Sequence, residues 1–481
     1  MKYAAGAIAL FLAACANAQW TVVNLHPAGA TQSAAFGIDG GLQGGYAEVG
    51  GVVRASLWTG TAGSWVDLHP AGARESLVYG VGGGQQVGYA GVGRNLHASL
   101  WSGTAGSWVD LNPSEAVQSE AFGVHSGQQA GYAIVGGDHH ASLWSGTAKS
   151  WVDLNPAGSA GSWAFGVGGG QQVGFASADG VARASLWSGT ANSWVDLNPA
   201  GSSGSLAFAV SNGQQVGTAN VGDYTNASLW TGSADSWVNL HSGGANHSYA
   251  YAVHDGQQVG FLAVFNGTLR ASLWTGTAGS RVDLQRFLPP QFDSSVARGV
   301  WRDGAFTYVV GFGHNPKVPR YEALMWVSRA SAPASYSMFR GSVISGNLAS
   351  LQESDDNRLV IRPGAVFSNA EPPIQIILDA RAPTSSPSAF SFSLESNASI
   401  ANAEQRISLY NYVTGLYEVL DTRPATISDD TVNVTVNSNP SRFIQHLSLA
   451  IRARVSYRAV GSAFVYPWLS SIDRAWWAFP G

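Results

Sequence analysis

The sequence predicts an all-β protein: a seven-bladed β-propeller followed by a β-sandwich or jelly roll. Three observations carry this. The string Ala-Ser-Leu-Trp recurs, ending at Trp58, Trp101, Trp144, Trp187, Trp230 and Trp274, at intervals of 43, 43, 43, 43 and 44 residues. Each period holds four short runs of alternating side-chain size, bounded by Gly, Ser, Asn or Pro and without helical spacing. The period stops after Trp326, and β-patterned runs of another, non-repeating kind follow. Four strands in about 43 residues is the dimension of a propeller blade.

Residues 1–18 come first and read as an export signal. Lys2 gives the positive start, Ala4 to Ala14 the apolar stretch, and Ala16-Asn17-Ala18 a small-x-small cleavage site before Gln19. The apolar run is too short to span a membrane. Leu12-Ala13-Ala14-Cys15 also fits a bacterial lipobox, which would make Cys15 a lipid anchor. The expected location is therefore extracellular or on the cell surface, by cleavage near Ala18 or by lipidation at Cys15. Cys15 is the only cysteine, which excludes an intrachain disulfide.

The repeats occupy residues 19–327. Taking Ala121 to Pro156 as a unit, the runs are Ala121-Phe122-Gly123-Val124, Gln128 to Ala133, Ala141-Ser142-Leu143-Trp144 and Trp151-Val152-Asp153-Leu154. Each run type occurs seven times. The phase matters more than the count: a lone run of the fourth type, Trp20 to Leu25, precedes the first unit, and the last unit lacks one. The N-terminal strand is expected to complete the last blade and so remove an open sheet edge. An open β-solenoid is the alternative, and it would leave both end strands incomplete.

The strings Gly-Gln-Gln-Val-Gly-Tyr-Ala, His97-Ala98-Ser99-Leu100-Trp101 and Trp-Val-Asp-Leu resemble the HAF repeat of bacterial extracellular proteins over residues 20–326. Ser stands here for the Phe of that repeat. The leading His persists at His97 and His140, with Arg54, Arg183, Asn226 or Arg270 elsewhere. The resemblance implies an exported β-rich repeat protein and brings no activity with it. After a linker at 328–335, residues 336–481 read as a sandwich, with runs such as Met338 to Ile344 and Thr431 to Val436. The stretch Ser342 to Leu359 and the closing Ile472 to Phe479 resemble galactose-binding-type jelly rolls.

Composition narrows the function. Only 11% of the 481 residues are charged, the net charge is −5, and the 22 Arg and 3 Lys are scattered. No electropositive face for a phosphate backbone is expected, hence no nucleic-acid partner. No Gly-x-Ser-x-Gly, His-Glu-x-x-His or phosphate loop is present. The carboxylate pairs Glu115/Glu120 and Asp429/Asp430 are expected in polar loops, away from the apolar surroundings that raise an acid's pKa. No catalytic activity and no resident cofactor are expected.

Binding residues are sought where the copies differ. The candidates are Arg94, Asp138, His139, His140, Trp163, Asp223 and Tyr224, each with a plain solvated loop as its alternative. The recurring Trp are read as core, the alternative being a sugar-stacking surface. Asp67, Asp110, Asp153, Asp196 and Asp283, with Asn24 and Asn239, are read as turn caps rather than a cation-binding ring. His139 and His140 are adjacent on a strand and would face opposite ways, which argues against a shared metal. Asp355, Asp356 and Asn357 are a candidate Ca²⁺ loop. The functional expectation is an exported binding module for polysaccharide or an envelope protein. A passive structural component and a secreted carbohydrate-active enzyme are the alternatives.

Overall fold

The computed structural model describes residues 20–265, 267–303, 306–328, 330–351, 357–368, 370–382, 384–461 and 467–479. The expected export signal with Cys15, and Asp355 and Asp356 of the candidate Ca²⁺ loop, lie outside them. The described chain is all-β apart from short 3₁₀ turns, and none of its helices is long and apolar enough to cross a membrane. It forms two compact units, one of Val22–Asp303 with Thr307–Val327, the other essentially Ser328 onward.

The first unit is a series of four-stranded antiparallel sheets. Gln32–Asp39, Leu42–Val49, Val52–Trp58 and Val66–Asp67 make one, and five more repeat that order. A further sheet takes Ser294–Arg302, Thr307–Asn315 and Arg320–Ser328, with Trp20–Asn24 beside the last of these. The fourth strand is shorter than the Trp-Val-Asp-Leu run suggests. A 3₁₀ turn at Ala62–Ser64 precedes it with Trp65 as its cap, and the Asp67 side chain ends it by accepting the His69 N–H at 2.8 Å. Side chains that satisfy the local backbone stop a strand in this way.

Neighbouring sheets pack through large buried rings. Trp58, Trp101, Trp144, Trp187, Trp230, Trp274 and Trp326 have no exposed surface. The first six sit with aliphatic side chains of adjoining strands, Trp101 for example with Leu57, Leu68, Val78 and Val81. Fully burying such a side chain is worth roughly 2–3 kcal/mol, and truncating it to Ala costs about 3–5 kcal/mol. The recurring Trp are core.

Polar stitches fix the packing. The Ala55 N–H donates to Ser76 Oγ of the next sheet, and the same bond recurs for Ala98, Ala141, Ala184, Ala227 and Ala271 at 2.9–3.2 Å. The seventh instance runs from the Ala323 N–H to Ser33 Oγ in the first sheet, at 2.9 Å. Each serine is held by the residue before the repeat's proline or its equivalent. His69 Nδ1 meets Ser76 Oγ at 2.8 Å and its Nε2 meets the Ala73 carbonyl at 3.1 Å. Asn112 does the same work, its Oδ1 accepting from Ser119 Oγ at 2.6 Å while its Nδ2 donates to the Ala116 carbonyl at 3.1 Å. A neutral imidazole and a carboxamide each offer one donor and one acceptor here, which is why His-Pro and Asn-Pro alternate in the repeats.

The second unit has two antiparallel sheets. One is ordered Ser342–Ser345, Leu359–Arg362, Ser470–Ala478, Phe390–Ala398, Asp430–Val436, with Ala330–Ser331 also on Ser470–Ala478. The other is Ser335–Arg340, Ile374–Arg381, Ala450–Ala459, Ala403–Asn411, Leu416–Pro424. They share one core, which includes Phe390, Phe392, Phe443, Tyr457 and Trp477. The run Met338 to Ile344 is not one strand. Gly341, at φ +90°, turns the chain from one sheet to the other, and a Cβ there would lie 2.7 Å from the Arg362 carbonyl oxygen.

Candidate functional site

The innermost strand of every sheet in the first unit carries a β-bulge at the same place. In the first sheet Ala35 pairs with Gly45 and Gly37 with Gly44, so Phe36 is the extra residue. The register shifts likewise around Tyr79, Phe122, Phe165, Phe208, Tyr251 and Arg298. A bulge re-aims its side chain. Here all seven side chains line one cavity of about 310 Å³. Glycine follows the bulge in five of the seven sheets, with Ala209 and Ala252 in the other two; a Cβ on Gly80 would lie 2.6 Å from the Phe122 carbonyl oxygen, and one on Gly299 2.8 Å from that of Phe36.

The seven form a closed belt. Ring centroids are 6.0 Å apart for Phe36–Tyr79, 5.0 Å for Tyr79–Phe122, 5.3 Å for Phe122–Phe165, 5.5 Å for Phe165–Phe208 and 5.3 Å for Phe208–Tyr251. The Arg298 guanidinium closes it, 4.0 Å from the centroid of Tyr251 and 5.2 Å from that of Phe36. Such offset and tilted contacts suit the ring quadrupoles, and a cation over ring faces is attracted to them. Burial pushes Arg298 below the ordinary arginine value, with Tyr251 and Tyr79 partly offsetting it. Burial also pushes the Tyr79 and Tyr251 hydroxyls up, so both stay neutral donors.

Trp163 extends the belt on one side. Its ring stacks on Phe122 (5.8 Å, 10°), on Tyr132 (4.4 Å, 21°) and on His139 (5.3 Å, 28°). Beside it the Tyr132 hydroxyl donates to Glu120 Oε1 at 2.7 Å and accepts from Gln118 Nε2 at 3.1 Å. Glu120 lies in the strand Ser119–His125, not in the polar loop expected from the sequence. Burial pushes its carboxyl above the usual range, against hydrogen bonds from Tyr132 and Tyr79. Glu115 and Glu120 do not act as a solvated pair. Asp429 pairs with Arg358 and accepts from Asn397 Nδ2.

Of the residues singled out by sequence, the fold brings Trp163 and His139 together. His140 turns the other way and pairs through Nδ1 with Asp153 at 2.8 Å. Arg94, Asp138 and Asp223 are exposed at hairpin turns, and Tyr224 stacks on His241 with centroids 5.8 Å apart. Asn357 is exposed, and among the described residues no group of three His, Cys, Asp or Glu could hold a metal. The repeated Asp residues cap turns through one oxygen. The other pairs Asp67 with Arg54 at 2.8 Å, Asp110 with His97 at 2.7 Å and Asp196 with Arg183 at 2.9 Å.

The belt is not among the sites expected from the sequence. Its signal is in the repeats: six copies place Phe or Tyr after the first small residue of the inner strand, and the seventh places Arg298 there. Alternation by two would have buried that position, and only the bulge turns it inward.

No family model and no curated protein sequence matches the chain. Among solved structures it is similar to a puromycin hydrolase, at 10% identity and TM-score 0.42, over 70% of this chain and 59% of that one. It is similar to TolB from Acinetobacter baumannii, at 10% identity and TM-score 0.35, over 57% and 76%. It is also similar to TmCBM61 in complex with beta-1,4-galactotriose, at 13% identity and TM-score 0.20, over 30% and 87%. The chain spans less than two thirds of the hydrolase's length. All three TM-scores lie below 0.5, and the functional reading rests on the belt and its neighbours.

Proposed function

We propose that this chain is an exported, non-catalytic binding protein whose first unit is a closed seven-bladed propeller of HAF-type repeats and whose second is a β-sandwich. The propeller holds a saccharide in its aromatic mouth. The observation that carries this is the belt of six half-buried Phe and Tyr rings around one cavity, continued by the Trp163 face. Flat ring faces complement the C–H face of a pyranose, while Tyr79, Tyr251, Glu120 and Gln118 supply polar partners beside them. Pockets of this make-up, apolar walls with a few placed polar groups, hold small ligands. Export and the choice between free secretion and a lipid anchor at Cys15 rest on residues 1–18.

The test is calorimetric titration of the chain from residue 19 onward with a panel of neutral and acidic oligosaccharides, repeated on Trp163→Ala and Phe122→Ala. Saturable binding that either substitution weakens about tenfold or more, the scale of a lost stacking contact, supports the reading. Binding by neither the native chain nor its variants would sink it.

A further inference from the structure

Arg298 breaks an otherwise aromatic pattern. At six of seven equivalent positions the chain carries a ring, and at the seventh a guanidinium faces the same cavity. Among the described residues no carboxylate forms an ion pair with it. Its contacts are the faces of Tyr251 and Phe36 and the hydroxyl of Tyr251. Several other arginines of this unit face carboxylates, among them Arg54 with Asp67, Arg183 with Asp196, Arg270 with Asp283 and Arg320 with Glu322. A cation enclosed without a counter-charge is costly, and a phenylalanine would have completed the belt at no such cost.

We propose that the cavity selects a six-membered ring bearing one carboxylate, with Arg298 as the carboxylate's partner. This rests on the reading of the mouth as a site for rings. The guanidinium presents a planar fork that matches a carboxylate in two parallel hydrogen bonds. The six rings of the belt are left to cover the faces and edge of the ligand ring, and the Tyr79 and Tyr251 hydroxyls to meet its substituents. A tetrahedral anion would use the fork but leave the aromatic walls idle. Two sources share the chemistry, a uronic acid residue of an acidic polysaccharide and an aromatic carboxylate. The polar groups of Glu120 and Gln118 around Tyr132 favour the uronate, whose hydroxyls need partners.

The experiment titrates the chain from residue 19 onward with four probes: a galacturonate oligosaccharide, its methyl ester, the neutral galactose counterpart and benzoate. The free acid is expected to bind about tenfold or more tighter than its ester, as for the loss of one charge-assisted hydrogen-bonded pair. That gap is expected to vanish in Arg298→Gln. The ester arm changes the ligand alone, so it decides the matter even if the variant fails to fold. Acid and ester binding equally well to the native chain overturns the carboxylate proposal and leaves the saccharide reading standing. Arg298-dependent binding of benzoate with no sugar bound supports the carboxylate proposal and overturns the saccharide reading. Binding of none of the four overturns both.

Discussion

The Arg298 guanidinium lies 4.0 Å from the centroid of the Tyr251 ring, and the two belong to successive sheets. With Phe36 on its other side, Arg298 links the sheet that ends the repeats to the sheet that begins them. It occupies the one place in the belt where an apolar ring would be cheaper. Arg298→Phe is therefore expected to keep or raise stability, by up to about 2 kcal/mol, while carboxylate binding is lost. Denaturant unfolding beside the titration reads both. A large loss of stability would make Arg298 a structural keystone instead of a ligand partner.

The serine stitches give a test of closure. Ser76→Ala leaves the buried Ala55 N–H without its acceptor and should cost about 1–3 kcal/mol. Ser33 accepts from Ala323, nearly three hundred residues away in sequence, with the same geometry. In a closed ring Ser33→Ala costs as much as Ser76→Ala. An open array predicts almost no effect at Ser33, so the pair of urea midpoints separates the two.

The strand Trp20–Asn24 carries its own specificity. In the other sheets an Asp on the fourth strand faces Arg or His on the third, except that Asn239 stands at the matching place where the third strand has Asn226. In the last sheet the charge is reversed: Asn24 Nδ2 donates to Glu322 Oε2 at 2.6 Å, and Arg320 Nε to Oε1 at 2.8 Å. A fourth strand bearing Asp would meet a carboxylate there. Asn24→Asp is expected to destabilise by about 1–3 kcal/mol at neutral pH. Burial pushes the Glu322 carboxyl up, but hydrogen bonds from Arg320, Asn24 and Asn315 outweigh it and hold the group below its ordinary value. A depressed carboxylate stabilises above its unfolded value and loses that contribution as pH falls through the folded one. Native melting temperatures should drop on acidification below about pH 4.5, and Glu322→Gln should flatten that limb.

His26, His69 and His241 are each lowered in pKa, with burial the largest cause. Their Nδ1 atoms accept from stitch serines, and a protonated imidazole has no acceptor to offer. Folding here favours the neutral form, so its stabilisation is full above the ordinary imidazole value of about 6.5 and is lost as pH falls from there through the lowered folded value. His69→Asn, copying Asn112, should remove one such step while preserving stability at pH 8. A melting profile between pH 8 and pH 5 with unchanged slope would count against the neutral-imidazole stitch.

Much of this was legible in the chain alone. The period fixed by Trp58 to Trp274, the four runs per period and the early Trp20 strand required only turn chemistry and side-chain alternation to read. Local signals of this kind survive because every copy repeats them. The opposite facing of His139 and His140 followed from strand geometry in the same way. Gly341 ends a run that looked continuous, because a positive φ there depends on where the second sheet lies.

The site was decided by the tertiary structure. Phe36 and its counterparts look like ordinary strand residues until a bulge at each one adds a residue to the register and seven side chains line one cavity. Glu120 looked solvated, because nothing local announces that Tyr79 and Tyr132 come to it from other strands. Arg298 looked like one scattered arginine among many. Its meaning depends on which residues surround it, and only the packing of the last sheet against the first places it between Tyr251 and Phe36, with no carboxylate paired to it among the described residues. Periodicity determines what each sheet is, since it acts through neighbours in sequence. What the sheets enclose depends on contacts between residues some forty to three hundred apart, and those form only when the sheets pack.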